Sequence, residues 1–189
     1  MVRIICEGKT DKKFILALLS HIGIEDKAGD FEIMGCKNNF FEIQKYKMIT
    51  QLVDSDQLKR LLFVLDADYE ENDSRYGGYE LCHKEINNLI DKLGLSSVSD
   101  VIIIRDYKTN SGYLESLIFS TLSEEQKACI THFLDCSNFM SKENHKSIIN
   151  QIYKMGYPNE PYNYEHPNFN ELKDKLQKLY RTEQDIAKQ

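Results

Sequence analysis

Five apolar residues in succession, Leu61-Leu62-Phe63-Val64-Leu65, run directly into Asp66-Ala67-Asp68-Tyr69-Glu70-Glu71. A half-exposed strand alternates polar and apolar side chains, so a short uninterrupted run is the pattern of a strand buried on both faces. Such a strand belongs in a parallel sheet covered by helices on both sides. The acidic loop then falls at its carboxyl end, where open α/β sheets bind ligands. Two carboxylates one residue apart, Asp66 and Asp68, can converge there on one hard cation such as Mg²⁺, which takes oxygen ligands.

The preceding residues follow the same plan. Val2-Arg3-Ile4-Ile5-Cys6 reads as a strand, left by the turn Glu7-Gly8-Lys9-Thr10. Phe14, Ile15, Leu18, Leu19 and Ile22 then recur at helical spacing, predicting a helix from about Asp11 to His21. Thr10 suits its N-cap and Gly23 its end. Phe31 to Met34 reads as a second strand ended by Gly35, and a helix from about Asn39 to Val53 carries Phe40, Ile43, Tyr46 and Ile49 on one face. After the acidic loop and the turn Arg75-Tyr76-Gly77-Gly78, a helix buries Leu81, Ile86, Leu89, Ile90 and Leu93. Gly94 ends it, and Val101 to Ile104 form a further strand. Strands alternating with helices of this length predict a mostly parallel, Rossmann-like sheet of about four strands with right-handed crossovers.

Beyond Asn110-Ser111-Gly112 the pattern is helical: about Tyr113 to Thr121, Glu124 to Leu134, Lys142 to Met155, and Phe169 to Arg181. All three prolines fall in the segment Gly156 to Asn168, which also holds Tyr157, Tyr162 and Tyr164 and reads as an ordered, irregular loop. Glu183 to Gln189 is a polar tail. The expected organisation is an α/β domain over residues 1–122 and a helical C-terminal extension over 123–189, packed on it as one unit.

Composition sets limits on function. No apolar run approaches the roughly 20 residues that span a bilayer, and charged residues from Glu7 to Lys13 break the pattern of a secretory signal. The five cysteines are scattered, odd in number and without a CxxC pair, as expected of reduced thiols in a cytoplasmic protein. No HExxH or Cys/His spacing predicts structural zinc. A net charge of −6 argues against a strong nonspecific grip on nucleic acid, while leaving room for a local basic groove.

Glu7 ends the first strand as Asp66 and Asp68 end a later one. If those strands are neighbours the three carboxylates meet at one edge, where like charges raise one another's pKa unless a cation is present. The alternative is that acidic residues stand at strand ends because those places are solvated.

Ile4-Ile5-Cys6-Glu7-Gly8-Lys9-Thr10-Asp11 resembles the first motif of Toprim domains, a hydrophobic strand followed by Glu-Gly and then Asp. Leu62-Phe63-Val64-Leu65-Asp66-Ala67-Asp68 resembles their second, a strand ending in Asp-x-Asp. The resemblance covers roughly the first 120 residues and is nearest to small stand-alone Toprim-related proteins that share features with OLD-type nucleases. In those, a strand and an Asp precede a Gly-x-Leu-Glu segment, to which Ile104-Arg105-Asp106 and Gly112-Tyr113-Leu114-Glu115 are similar. A lysine on a later helix is matched by Lys146, with Lys142 and Lys154 near.

The resemblance implies a Toprim-like fold and a Mg²⁺-dependent nuclease, with Mn²⁺ as an alternative ion, acting on DNA or RNA. It implies that Asp66, Asp68 and Glu115 with Glu7 hold one or two ions. Glu7 is otherwise the group that activates water, and Lys146 the group that offsets charge on the scissile phosphate. Asp11 either binds metal or complements the helix dipole. The alternative from another class is a non-catalytic Toprim-like module that binds metal or nucleic acid and works with a partner protein, such as an ATPase.

Other Asp-x-Asp and glycine-lysine chemistries fit less well. Gly8-Lys9-Thr10 resembles the end of a P-loop, but Arg3 stands where that motif needs glycine. A haloacid-dehalogenase phosphatase has Thr or Val where Glu70 stands, and a sugar-transferase Asp-x-Asp leaves Glu7 unexplained. Lys142, Lys146, Lys154, Tyr157, Tyr162 and Tyr164 can contact a single strand by charge and stacking, but interspersed acids favour solvated lysines and tyrosines that pack the loop. Lys173, Lys175, Lys178 and Arg181 read as the wet face of the last helix, whose seam is Phe169, Leu172, Leu176 and Leu179.

Overall fold

In the computed structural model, which describes residues 1–137, 147–152 and 162–181, four strands form one all-parallel sheet. They are β1 (Val2–Cys6), β2 (Phe31–Ile33), β3 (Arg60–Asp66) and β4 (Ser99–Ile104), in the order β2-β1-β3-β4. The helices are α1 (Lys9–His21), α2 (Lys37–Phe40), α3 (Lys47–Asp54), α4 (Tyr79–Lys92), α5 (Leu114–Ser120), α6 (Glu124–Cys136) and α7 (Asn170–Tyr180). Residues 147–152 are helical as well. This is the Rossmann-like α/β architecture with C-terminal helices that the strand and helix periods predict.

The strands separate two cores by simple alternation. Ile4, Cys6, Leu62, Val64, Ile102 and Ile104 face one side, where Phe14 and Leu18 of α1, Leu117 of α5 and Leu172 and Leu176 of α7 pack. Ile5, Phe63, Leu65, Val101 and Ile103 face the other, against Phe40 of α2, Ile49 of α3 and Ile86 of α4. Both faces are therefore dry, which is why β3 shows no polar alternation. Each fully buried Leu, Ile or Phe contributes about 2 kcal/mol relative to exposure, so the two layers together hold the sheet.

Because α7 shares its core with β1 and α1, the C-terminal helix and the α/β part bury one continuous surface. Among the described residues, no helix is long and apolar enough to cross a membrane.

Two expectations change. The helix expected over Asn39 to Val53 is two helices, α2 and α3, joined through Phe41 and a 3-10 turn at Ile43–Tyr46. The buried Tyr46 phenol donates to the Phe40 carbonyl at 2.7 Å, satisfying an acceptor that the ended helix leaves open. Phe40, Tyr46 and Ile49 enter one core from separate turns, so their spacing mimics a single helical stripe.

Lys175 of α7 is not simply wet. Its ammonium donates to the Val101 carbonyl and pairs with Glu171 at 3.2 Å and Asp100 at 3.6 Å, tying α7 to β4. Tyr162 and Tyr164 pack on Phe14, at ring-centroid distances of 5.0 and 5.9 Å, so they serve the core as the packing reading has it. Lys142, Lys154, Tyr157 and the polar tail lie outside the described residues.

The order of the strands positions the site. From β1 the chain moves outward to β2, then returns across β1 to β3 and continues to β4. The direction of progress reverses between β1 and β3, and the crevice at such a reversal, outside the carboxyl ends of the strands, is where doubly wound sheets take ligands.

Candidate functional site

The register pairs Cys6 with Val64, so Glu7 and Asp66 emerge side by side at the switch point. The Asp66 N–H donates to Glu7 Oε1 at 3.0 Å, drawing the glutamate across from β1 to β3. Burial pushes the Glu7 carboxyl up to about 7. The Asp66 hydrogen bond and the Lys37 ammonium oppose that rise, and Asp68 and Asp11 add to it. A carboxyl poised near neutrality in a crevice has the protonation behaviour that acid–base chemistry requires.

Asp68 is held by its backbone. Its φ of 57° lies in the left-handed region, which Asp tolerates better than most residues. Its N–H donates to the Gly112 carbonyl at 2.7 Å, and the Gly112 N–H returns a bond at 2.9 Å to the Asp68 carbonyl. Gly112 is required at this contact. Its φ is 100°, and a Cβ there would stand 2.5 Å from Ser116 Oγ. This two-way bridge joins the acidic loop to the Gly112-Tyr113-Leu114-Glu115 segment, two stretches far apart in sequence.

Glu115 lies in the first turn of α5, is 7 % exposed, and accepts a hydrogen bond from Asn150 Nδ2 at 2.8 Å. Asn150 comes from the helical stretch 147–152, so this part of the C-terminal region reaches the loop cluster. Between the two loops, Tyr113 has its phenol pushed up to about 12, first by burial and then by Tyr69, Glu115, Asp66 and Asp68. Its surroundings therefore contain all three of those carboxylates. The Tyr69 hydroxyl shares a hydrogen bond of 3.1 Å with Ser116 Oγ, adding a side-chain tie beside the backbone bridge.

Asp11 takes a structural position at the opening of α1. It accepts the Gly8 N–H at 2.7 Å, closing the first turn from its third residue. It contributes to the site electrostatically, by raising the pKa of Glu7. Lys146 lies outside the described residues.

Lys37 is the participant that the motifs do not announce. It opens α2 just after β2, is 7 % exposed, and its ammonium donates to the Ala67 carbonyl at 2.9 Å and to Asp68 Oδ2 at 3.1 Å. The signal for it in the sequence is slight: a lysine two places after the glycine that ends the second strand. Only the placement of β2 beside β1 brings that position to the acidic loop.

The carboxylates and the Ala67 carbonyl are oxygen donors of the kind a hard divalent cation takes, and the buried Cys82 thiol, its pKa pushed up to about 12 by burial, lies beside them, donating to the Asp66 carbonyl at 3.8 Å. A cationic group, Lys37, already rests on two of these oxygens, at Ala67 and Asp68, which shows that the crevice accommodates positive charge. As they stand, among the described residues no three His, Cys, Asp or Glu side chains form a group that could hold a metal ion.

The family described as "Protein of unknown function (DUF3226)" matches residues 1–146. Neither a curated protein nor a solved structure matches the chain.

Proposed function

The chain belongs to the DUF3226 family, and on that premise we propose that it is a Mg²⁺-dependent phosphodiester-cleaving enzyme acting on DNA or RNA, with Mn²⁺ able to replace Mg²⁺. The observation that carries the reading is the position of Glu7. It is a carboxyl of pKa about 7 at the switch point of the sheet, bonded to Asp66 N–H and neighbouring the Asp68–Lys37 pair.

Asp66 and Asp68, with Glu7 or Glu115, would hold the cation. When bound, such an ion polarises a phosphoryl oxygen and stabilises charge on the attacking and leaving oxygens. The remaining work belongs to the chain. Where it is not a ligand, Glu7 takes or returns the proton of the attacking water. The Asp68–Gly112 bridge fixes the backbone of the acidic loop, so that only side chains need move to take up an ion. Lys146, by its resemblance to a lysine of OLD-type nucleases, is assigned to the scissile phosphate.

A cytoplasmic location accords with five free cysteines, of which Cys36, Cys129 and Cys136 are exposed. With a net charge of −6, the chain relies on a partner protein, such as an ATPase, to present nucleic acid.

One observation favours a second reading. The carboxylates do not form a ready metal group among the described residues, which suits a non-catalytic module that binds its ligand without turnover.

The test combines calorimetric titration of Mg²⁺ and Mn²⁺ with cleavage assays on single-stranded DNA, duplex DNA and RNA. It uses the wild type, Asp66→Asn/Asp68→Asn and Glu7→Gln. The enzyme reading expects metal binding lost in the double variant and cleavage lowered about 10³-fold by Glu7→Gln with the fold intact. Metal binding without cleavage by the wild type would establish the module instead.

A further inference from the structure

Lys37 and Arg105 are the buried cations among the described residues, and their surroundings differ in kind. The Arg105 guanidinium lies between the rings of Tyr79 and Tyr107, at 3.9 and 4.4 Å. It donates to the Ile103 carbonyl and to Asn110, and pairs with Glu171 at 3.6 Å. That is a structural clamp whose acceptors all lie outside Asp66-Ala67-Asp68. Lys37 has both its hydrogen-bond acceptors in the Asp66-Ala67-Asp68 loop: the Ala67 carbonyl at 2.9 Å and Asp68 Oδ2 at 3.1 Å.

Its anchor is firm. Gly35 N–H donates to the Glu7 carbonyl at 2.8 Å, fixing the turn before α2 to the end of β1. Phe40, one turn after Lys37, is fully buried and its carbonyl accepts from Tyr46. The side chain thus reaches a defined point from a fixed base. The Asp68 side chain is 32 % exposed whereas that of Lys37 is 8 % exposed, so the ammonium holds the inner side of a carboxylate whose outer side meets solvent.

We infer that Lys37 is a tethered cation that occupies the cation position of the acidic loop and competes with a divalent ion for Asp68 and the Ala67 carbonyl. This rests on the metal-binding reading of the same site. An ammonium and a divalent ion repel across a few ångströms, so both cannot keep the same two oxygens. Lys37 thereby keeps the carboxylates compensated before metal arrives and sets the metal concentration at which it yields. A divalent ion bound at these oxygens would exclude the ammonium from them by its greater charge. Lys37 is a positioning residue for the site, acting through the carboxylates.

The experiment is calorimetric titration of Mg²⁺ at constant pH and ionic strength on the wild type, Lys37→Met, Lys37→Gln and Lys37→Arg, with thermal denaturation of each in EDTA and in Mg²⁺. Removal of the charge is expected to tighten Mg²⁺ binding at least about tenfold. It should also lower Tm in EDTA, with a larger recovery on Mg²⁺ than the wild type shows. Lys37→Arg is expected to stay near wild-type affinity.

Lys37→Gln retains a donor for the Ala67 carbonyl and serves where Lys37→Met does not fold without metal. Binding by folded Lys37→Gln at or below wild-type affinity overturns the inference. If that occurs while Asp66→Asn/Asp68→Asn abolishes wild-type binding, the metal reading still stands. Binding by Lys37→Gln alone, with none in the wild type, supports the tethered cation and turns the proposed function toward a site blocked until Lys37 is displaced. No binding by any variant overturns both.

Discussion

Each end of the parallel sheet sets a carboxylate beside lysine, with opposite results. At the carboxyl end Glu7 is driven up to about 7, chiefly by burial, with Lys37 and the Asp66 N–H only partly offsetting it. At the amino end Asp100, on β4, is also raised by burial, but the Val101 N–H, Lys175 and Lys178 outweigh that and hold it below the ordinary carboxylate range. Lysines are present at both ends, so the presence of lysine does not decide. At the amino end two ammoniums serve one carboxylate, at 3.6 and 3.2 Å. At the carboxyl end one ammonium rests on Asp68, and Glu7 shares its surroundings with Asp68 and Asp11. The amino end is compensated and holds α7 in place, whereas the carboxyl end carries excess negative charge on half-buried carboxylates. Excess of that kind is a cost that a bound cation would remove.

The sharpest break of this contrast is in pH. Glu7 binds its proton more tightly folded than unfolded, so its contribution is most favourable below the ordinary value of 4.5 and is lost as pH rises toward about 7. Glu7→Gln removes that dependence while keeping an acceptor for Asp66 N–H. Denaturant unfolding in EDTA is expected to show the variant gaining about 3 kcal/mol on the wild type between pH 4.5 and pH 8, from a shift of this size. Parallel curves for the two proteins would mean that the carboxyl end is as well compensated as the amino end.

Gly112→Ala probes the backbone bridge. With φ at 100° and Ser116 in the way, the substitution is expected to cost about 2 kcal/mol and to raise amide hydrogen exchange at Asp68 and Gly112. Unchanged exchange there would show that the acidic loop is fixed by something other than this bridge.

Asp100→Asn gives the smallest effect. The pairs are partly solvated, so a loss below about 1 kcal/mol is expected at neutral pH, and less in high salt. Because the folded pKa of Asp100 is lowered, the stabilisation is present above the ordinary carboxylate value and disappears as pH falls through the folded one. Acid titration of the variant's stability against the wild type checks the sign. A loss rivalling that of Gly112→Ala would mean that the ends differ less than their burial suggests.

Much of the candidate site is legible in the sequence. Glu7, Asp66 and Asp68 stand at strand ends that a run of apolar residues makes recognisable, and Gly112 to Glu115 follow a strand in the same way. The register of β1 and β3 sets Glu7 beside Asp66, and the Asp68–Gly112 bridge joins the two loops, neither of which a local motif fixes. Asp11 was open between two roles, and its bond to the Gly8 N–H places it in the helix cap. Lys37 is not legible in the sequence, because a lone lysine after a short edge strand has no periodicity or motif to mark it.

The sequence by itself determined which segments are strands and helices, and which strands are dry on both faces, because alternation and helical spacing report burial directly along the chain. It left the helix over Asn39 to Val53 undivided, since side chains entering one core from two short helices repeat at nearly the spacing of one. The tertiary structure decided the order β2-β1-β3-β4, and with it the switch point, the contact of Glu7 with Asp66 and the arrival of Lys37 at the acidic loop. Strand order depends on how helices cross and pack over the sheet, a choice made by contacts between segments distant in sequence, and no local pattern of residues encodes which neighbour a strand will take.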